Sequence, residues 1–206
     1  MREPVRLVLA SASRGRLNTL QQAGLDPVVE VSGIDEEECA TSADAVSLVG
    51  GLATLKARAV ASRMTQSRPR TLVLGCDSAL ELNSLTYGKP LDAAEATQRW
   101  LAMRGSCGTL HTGHCLVDVQ DGREFTRTAS TRVWFGQVSE SEIADYVASG
   151  EPLAVAGAFT IDGLGGAFVD RIDGDPHNVV GLSLPLLREM LADFGVSWTS
   201  LWTRRP

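Results

Sequence analysis

The chain is short of basic residues: 19 lysines and arginines stand against 25 aspartates and glutamates, a formal charge of −6 with a pI near 5.1. Binding along a nucleic-acid backbone needs clustered Lys and Arg, so a nucleic-acid partner is excluded and any anionic ligand has to be met by a local pocket. No apolar run reaches the roughly 18 residues of a membrane span, and no basic-then-apolar leader opens the chain. A cytoplasmic protein without a membrane partner is expected. The four cysteines (Cys39, Cys76, Cys107, Cys115) include no Cys-x-x-Cys pair and are expected to be free thiols. Cys107, His111, His114 and Cys115 lie close together, but their spacing matches no paired zinc-ligand pattern and the segment alternates like a strand. Internal repeats and low-complexity linkers are also missing, which predicts a single domain over residues 1–206. With 44% apolar residues, the chain has ample core for it.

The first half alternates short apolar runs with helical patterns. Val5 to Ala10 reads as a buried strand entering the small polar cluster Ser11-Ala12-Ser13. Ser13 then caps a helix through Arg16, Leu17, Leu20 and Ala23 that stops at Gly24. Arg14 and Arg16 in the first turn are unfavourable for the helix itself, so this N-terminus is either an anion seat or a place for two solvated arginines. Pro27 to Val31 reads as a second strand leading into four carboxylates, Asp35 to Glu38, which suit a solvated loop or a helix start, with Asp35 and Glu36 also candidates to hold a divalent cation. Ser42 to Arg63 reads as a long helix, with Lys56 either snorkelling from the core edge or reaching into a pocket.

Thr71 to Pro90 carries the most suggestive chemistry. An apolar run broken by Gly75 ends in Asp77 and Ser78, and a solitary Lys89 follows between Gly88 and Pro90. A carboxylate and a hydroxyl at a strand end, with a rigidly held lysine, suit metal-assisted phosphate chemistry; an ordinary strand and turn would look the same. Asp92 and Glu95 then form a capping box for a helix through Trp100 and Met103. Cys107 to Val119 and Gly122 to Phe135 alternate as two long strands joined at Gln120-Asp121-Gly122, and Ser139 to Ser149 is a further capped helix. Glu151 to Gly181 is glycine-rich and irregular. Its Gly163-Leu164-Gly165-Gly166 lacks the placement of a dinucleotide fingerprint and reads as a turn of close backbone approach. Val179 to Arg188 follows, with a last helix through Leu191 and Phe194, and the tail from Trp198 is expected to be loose. The pattern predicts an α/β fold with a mixed, elongated sheet.

These motifs, in this order, resemble the Maf family of nucleoside triphosphate pyrophosphatases, related in fold to the inosine triphosphatase group. The resemblance rests on LASAS with Arg16, Asp35-Glu36, Lys56, GCDS, GKP with Asp92, the TGH segment, SGEP with AGAF, and GDPHNVVGLSL. It implies helices flanking the sheet, two lobes around a central cleft, and a homodimer. It also implies hydrolysis of a nucleoside triphosphate between the α and β phosphates, with Mg²⁺ or Mn²⁺ as cofactor, for house-cleaning of modified or surplus nucleotides. By position, Asp77 would be the proton acceptor and touch the metal with Glu36; Ser11, Arg16, Lys56 and Lys89 would cradle the triphosphate.

Three positions depart from the family pattern. Gly15 replaces an arginine of the first loop, Ser78 stands where the pyrimidine branch has threonine, and Asp162 where it has glutamine. Ser78 and Asp162 are therefore substrate-binding candidates that leave the base open, since an Asp cannot donate as an amide does. A regulator linked to septum formation, which binds nucleotide without turnover, is the alternative, and a phosphatase releasing orthophosphate a third.

Overall fold

The computed structural model describes residues 4–34, 44–64 and 69–203. Strand β1 (Val5–Leu9) runs into helix α1 (Arg14–Gln22), and Ser13 is the N-cap, its side chain accepting from the Arg16 N–H. The second strand is shorter than its sequence suggests: β2 holds two residues, Val28–Val29. Helix α2 (Ala45–Ala61) starts from Asp44, whose carboxylate accepts from the Ser47 N–H at 2.8 Å. Ser42, the expected cap, lies outside the described residues.

Strand β3 (Arg70–Leu82) corrects a larger expectation, because it runs 13 residues straight through Gly75, Asp77 and Ser78. Gly75 does not break the strand. A Cβ there would sit 2.2 Å from the Ala53 carbonyl oxygen and 2.7 Å from the Ala57 nitrogen, so the missing side chain is what lets α2 lie against the strand. Strand β4 (Leu85–Tyr87) then folds back antiparallel on β3. Its turn escapes the sequence because it uses Asn83 and Ser84 at φ of 51° and 62°, without a glycine.

Helix α3 (Ala93–Met103), strands β5 (Cys107–Asp118) and β6 (Glu124–Phe135), and helix α4 (Glu140–Ala148) fall where their caps and alternation place them. The irregular segment contains two elements the sequence hides, β7 (Val169–Asp173) and the short helix α5 (Pro176–Val180). Helix α6 (Leu184–Asp193) begins after its N-cap, Ser183. The tail is also held: Thr203 donates its N–H to the Gly24 carbonyl at 3.0 Å, and Trp202 bridges Leu25.

Among the described residues, seven strands form one mixed sheet in the order β2-β1-β3-β5-β6-β7, with β4 on β3. β1 is parallel to both of its neighbours, while β7 is antiparallel to β6. With its flanking helices, this is the α/β class expected. Two compact units divide the chain: Met1–Asp77, Thr112–Ala129 and Gly181–Pro206 make one, Ser78–His111 and Ser130–Val180 the other. In the first, strand alternation sends Leu7, Leu9, Leu72, Leu74 and Cys76 against α1 and α6, and Val8, Ala10 and Val73 against α2. In the second, Leu80, Leu110, Val133 and Phe135 pack on α3 and α4. Trp100 is its anchor, edge-on to Phe135, Tyr146 and Phe168, with its ring N–H given to the Ala158 carbonyl at 2.8 Å.

Candidate active site

In the first unit, α1 follows β1 on one face of the sheet and α2 follows β2 on the other, so the winding reverses where β1 lies beside β3. Ligands of open parallel sheets sit outside the carboxyl ends of strands at such a point. Ala10 donates its N–H to the Leu74 carbonyl at 2.8 Å, so the Ser11–Ser13 loop leaves the sheet beside Gly75-Cys76-Asp77.

Ser11 and Arg16 meet in this loop. The Ser11 hydroxyl oxygen accepts from the Ser13 N–H at 3.2 Å and from Arg16 Nη1 at 3.0 Å, while Arg16 Nε donates to the Gly181 carbonyl at 2.8 Å. Arg16 is buried and Arg14 is exposed, so the two arginines of the first turn diverge.

Lys56 and Asp77 meet across the other face. Ala53 and Ala57 press α2 onto Gly75, and Asp77, two residues along, points to the same side of β3. Lys56 Nζ lies 2.6 Å from Asp77 Oδ1, with the two residues only 5% and 7% exposed. The sequence leaves Lys56 between the core edge and a pocket; it is inside, ion-paired. The thiol of Cys76 is pushed up to about 12, chiefly by burial; Arg16 and Lys56 pull it down and Asp77 pushes it up. Both cations and the carboxylate thus act on one buried point.

The second unit carries Ser78, Lys89 and Asp162. Ser78 is half-buried in β3, and the Lys89 side chain is exposed on a loop whose backbone is fixed. The Gly88 carbonyl accepts from Arg99 Nη1 at 2.5 Å and from the Gly157 N–H at 2.9 Å. Asp162 is exposed and accepts from the Thr160 hydroxyl. The Gly163–Gly166 turn is the close approach its sequence suggests: Cβ atoms at Gly165 and Gly166 would lie 2.8 Å from the Thr160 carbonyl and 2.7 Å from the Ile161 carbonyl. Asp35 and Glu36 lie outside the described residues.

Residues 6–194 match the family described as Maf-like protein. The chain belongs to that family. It is 59% identical to a nucleoside triphosphate pyrophosphatase of Salinispora tropica, over 98% of this chain and 89% of the relative. A protein of the same name from Streptomyces coelicolor is 56% identical over 96% and 94%. Among solved structures, a nucleoside-triphosphatase / dITP/XTP pyrophosphatase of Mycobacterium abscessus aligns at 14% identity and a TM-score of 0.36, over 65% of this chain and 74% of that one, too little to bear on the fold.

Three parts of this Maf-like chain's framework are hidden in its sequence. Arg99 clamps the lysine loop; its one sequence signal is the i,i+4 spacing from Glu95, with which it pairs at 2.6 Å. Glu151 holds the glycine turn by accepting from Gly165 and Leu164 N–H at 2.9 and 3.0 Å and from the Tyr146 hydroxyl at 2.8 Å. Those amides lie 13 and 14 residues away, beyond any local pattern. His114 serves the framework too, since its ring accepts from the Ser183 N–H at 2.8 Å and shares the Thr112 carbonyl at 3.0 Å. Among the described residues, no three His, Cys, Asp or Glu side chains converge to hold a metal. Asp77 offers a carboxylate at the site, which fits Mg²⁺, a cation usually held by one or two carboxylates plus substrate phosphates. No helix among them is long and apolar enough to cross a membrane.

Proposed function

We propose that the chain is a nucleoside triphosphate pyrophosphatase that cleaves between the α and β phosphates, releasing the monophosphate and pyrophosphate. The observation that carries this is the buried Lys56–Asp77 pair beside the Ser11–Arg16 helix start, in a Maf-like chain whose relatives bear that name. Phosphoryl chemistry asks chiefly for positioned cations and an oriented water.

The triphosphate is received by Ser11, Arg16 and the N–H groups opening α1, and competes with Asp77 for the Lys56 ammonium. Exchange of that partner frees a carboxylate oxygen, and Asp77 accepts the proton of the attacking water. Lys89 steadies the phosphates, while Ser78 and Asp162 face the nucleoside. A divalent cation, Mg²⁺ or Mn²⁺, held by Asp77 and Glu36, would neutralise phosphate charge. The enzyme is a cytoplasmic homodimer acting on modified or surplus nucleotides.

A panel of standard and modified nucleoside triphosphates, assayed for pyrophosphate against orthophosphate with Mg²⁺, Mn²⁺ or Co²⁺, tests this. Metal-dependent pyrophosphate release is expected. Orthophosphate as the first product, or tight binding with no turnover across the panel, would overturn it in favour of a phosphatase or a nucleotide-binding regulator.

A further inference from the structure

We infer that Arg99 and Glu95 are positioning residues for the phosphate-binding lysine, acting on nucleotide only through the Tyr87–Leu91 loop; this rests on the role proposed for Lys89. Arg99 is 8% exposed, and its guanidinium is engaged along its edge and on one face. Nη1 donates to the Gly88 carbonyl at 2.5 Å and Nη2 to the Lys89 carbonyl at 3.4 Å, while Cζ lies over the Tyr87 ring, 5.1 Å from its centre. Its Nε and Nη2 reach Glu95 Oε1 at 3.2 and 2.6 Å, and the other oxygen of that carboxylate accepts from the Leu91 N–H at 2.7 Å.

One ion pair on α3 therefore grips the loop on both sides of Lys89, and Pro90 is buried between the grips. The lysine side chain is left exposed. A buried cation held on two carbonyls of an exposed loop fixes where Lys89 leaves the surface, so binding has less backbone to order. A lysine at Arg99 could not reproduce the planar fork.

The test is a double-mutant cycle read by calorimetric binding of an α,β-methylene nucleoside triphosphate, which needs no turnover. Arg99→Ala and Lys89→Ala should each weaken binding about tenfold, and the double variant should be no weaker than Lys89→Ala within about twofold, because neighbours acting as a unit are not additive. Arg99→Lys should fall between wild type and Arg99→Ala. Should Arg99→Ala not fold, Glu95→Gln carries the cycle, with a smaller loss that vanishes when Lys89 is already Ala. Unchanged binding by folded Arg99 or Glu95 variants, or losses that multiply in the double variant, would overturn the inference. Wild-type binding by Lys89→Ala would overturn it together with the role given to Lys89, whereas the enzyme reading stands or falls separately on pyrophosphate release by the wild type.

Discussion

Lys56 and Asp77 face each other at 2.6 Å in the first unit, on the side of β3 that α2 covers. The carboxylate proposed to take a proton from water is thus stored as one half of a buried ion pair. Asp77→Asn keeps the shape and removes the base. Pyrophosphate release should fall by about 10²–10⁴-fold, the usual share of general base catalysis, while nucleotide binding persists. Single-turnover kinetics beside calorimetry would check this, and undiminished release would remove Asp77 from the mechanism.

Lys56→Met keeps the apolar stem and deletes the charge. Stripping an ion pair of one buried partner costs about 3–5 kcal/mol, so urea denaturation should show a loss of that order. Combining Lys56→Met with Asp77→Asn should recover part of it; a double variant as unstable as the sum of the singles would mean that the pair contributes no coupling.

Gly75→Ala should be among the most damaging single-methyl changes in the chain, because the new carbon would lie 2.2 Å from the Ala53 carbonyl oxygen. Overpacking against backbone that cannot turn aside costs about 3 kcal/mol. Gly113→Ala meets the Val49 carbonyl at the same 2.2 Å and should behave alike. Denaturant midpoints near wild type for both would show that α2 rides loosely on the sheet.

Lys89→Ala removes an exposed side chain, so stability should stay within about 0.5 kcal/mol of wild type. Losing one charged contact to phosphate should raise KM about tenfold, with a smaller change in kcat. An unaltered KM would count against a phosphate clamp.

Acid should loosen the second unit at Glu95 and Glu151. Glu95 is held below the ordinary 4.5 by the Leu91 N–H and then by Arg99. Burial pushes Glu151 upward, but the Gly165 and Leu164 amides and the Tyr146 hydroxyl outweigh it and leave it below 4.5. Depressed values mean that these contacts stabilise fully above the unfolded-state value and are lost as pH falls through the folded one. Thermal midpoints should be level above about pH 5.5 and fall below it, and Glu151→Gln should flatten the decline. A decline of the same steepness in that variant would assign the acid sensitivity elsewhere.

What the sequence shows readily is what is local. Ser13, Asp92 and Ser139 announce helix starts because a cap works within three residues, and the β5–β6 hairpin is announced by its own alternation and by Gly122. The structure's other decisions are made at a distance. Gly75 looks like a strand break until α2, some twenty residues upstream, is seen lying on it, and Lys56 is ambiguous until Asp77, 21 residues on, supplies the partner. The clamp on Lys89 is invisible because it acts on carbonyls, which every residue has. β4 and β7 escape notice because one turns without glycine and the other sits in a segment whose glycines suggest only irregularity.

The tail has a use that its position at the end of the chain conceals. Thr203 and Trp202 grip Gly24 and Leu25, just past the last turn of α1, while the opposite end of that helix presents Ser13 and Arg16. The helix proposed to receive the phosphates is therefore anchored from behind by Trp202 and Thr203. Trimming the chain before Trp202, or fusing a partner tightly to it, would slacken a mooring line whose other end is Ser13 and Arg16.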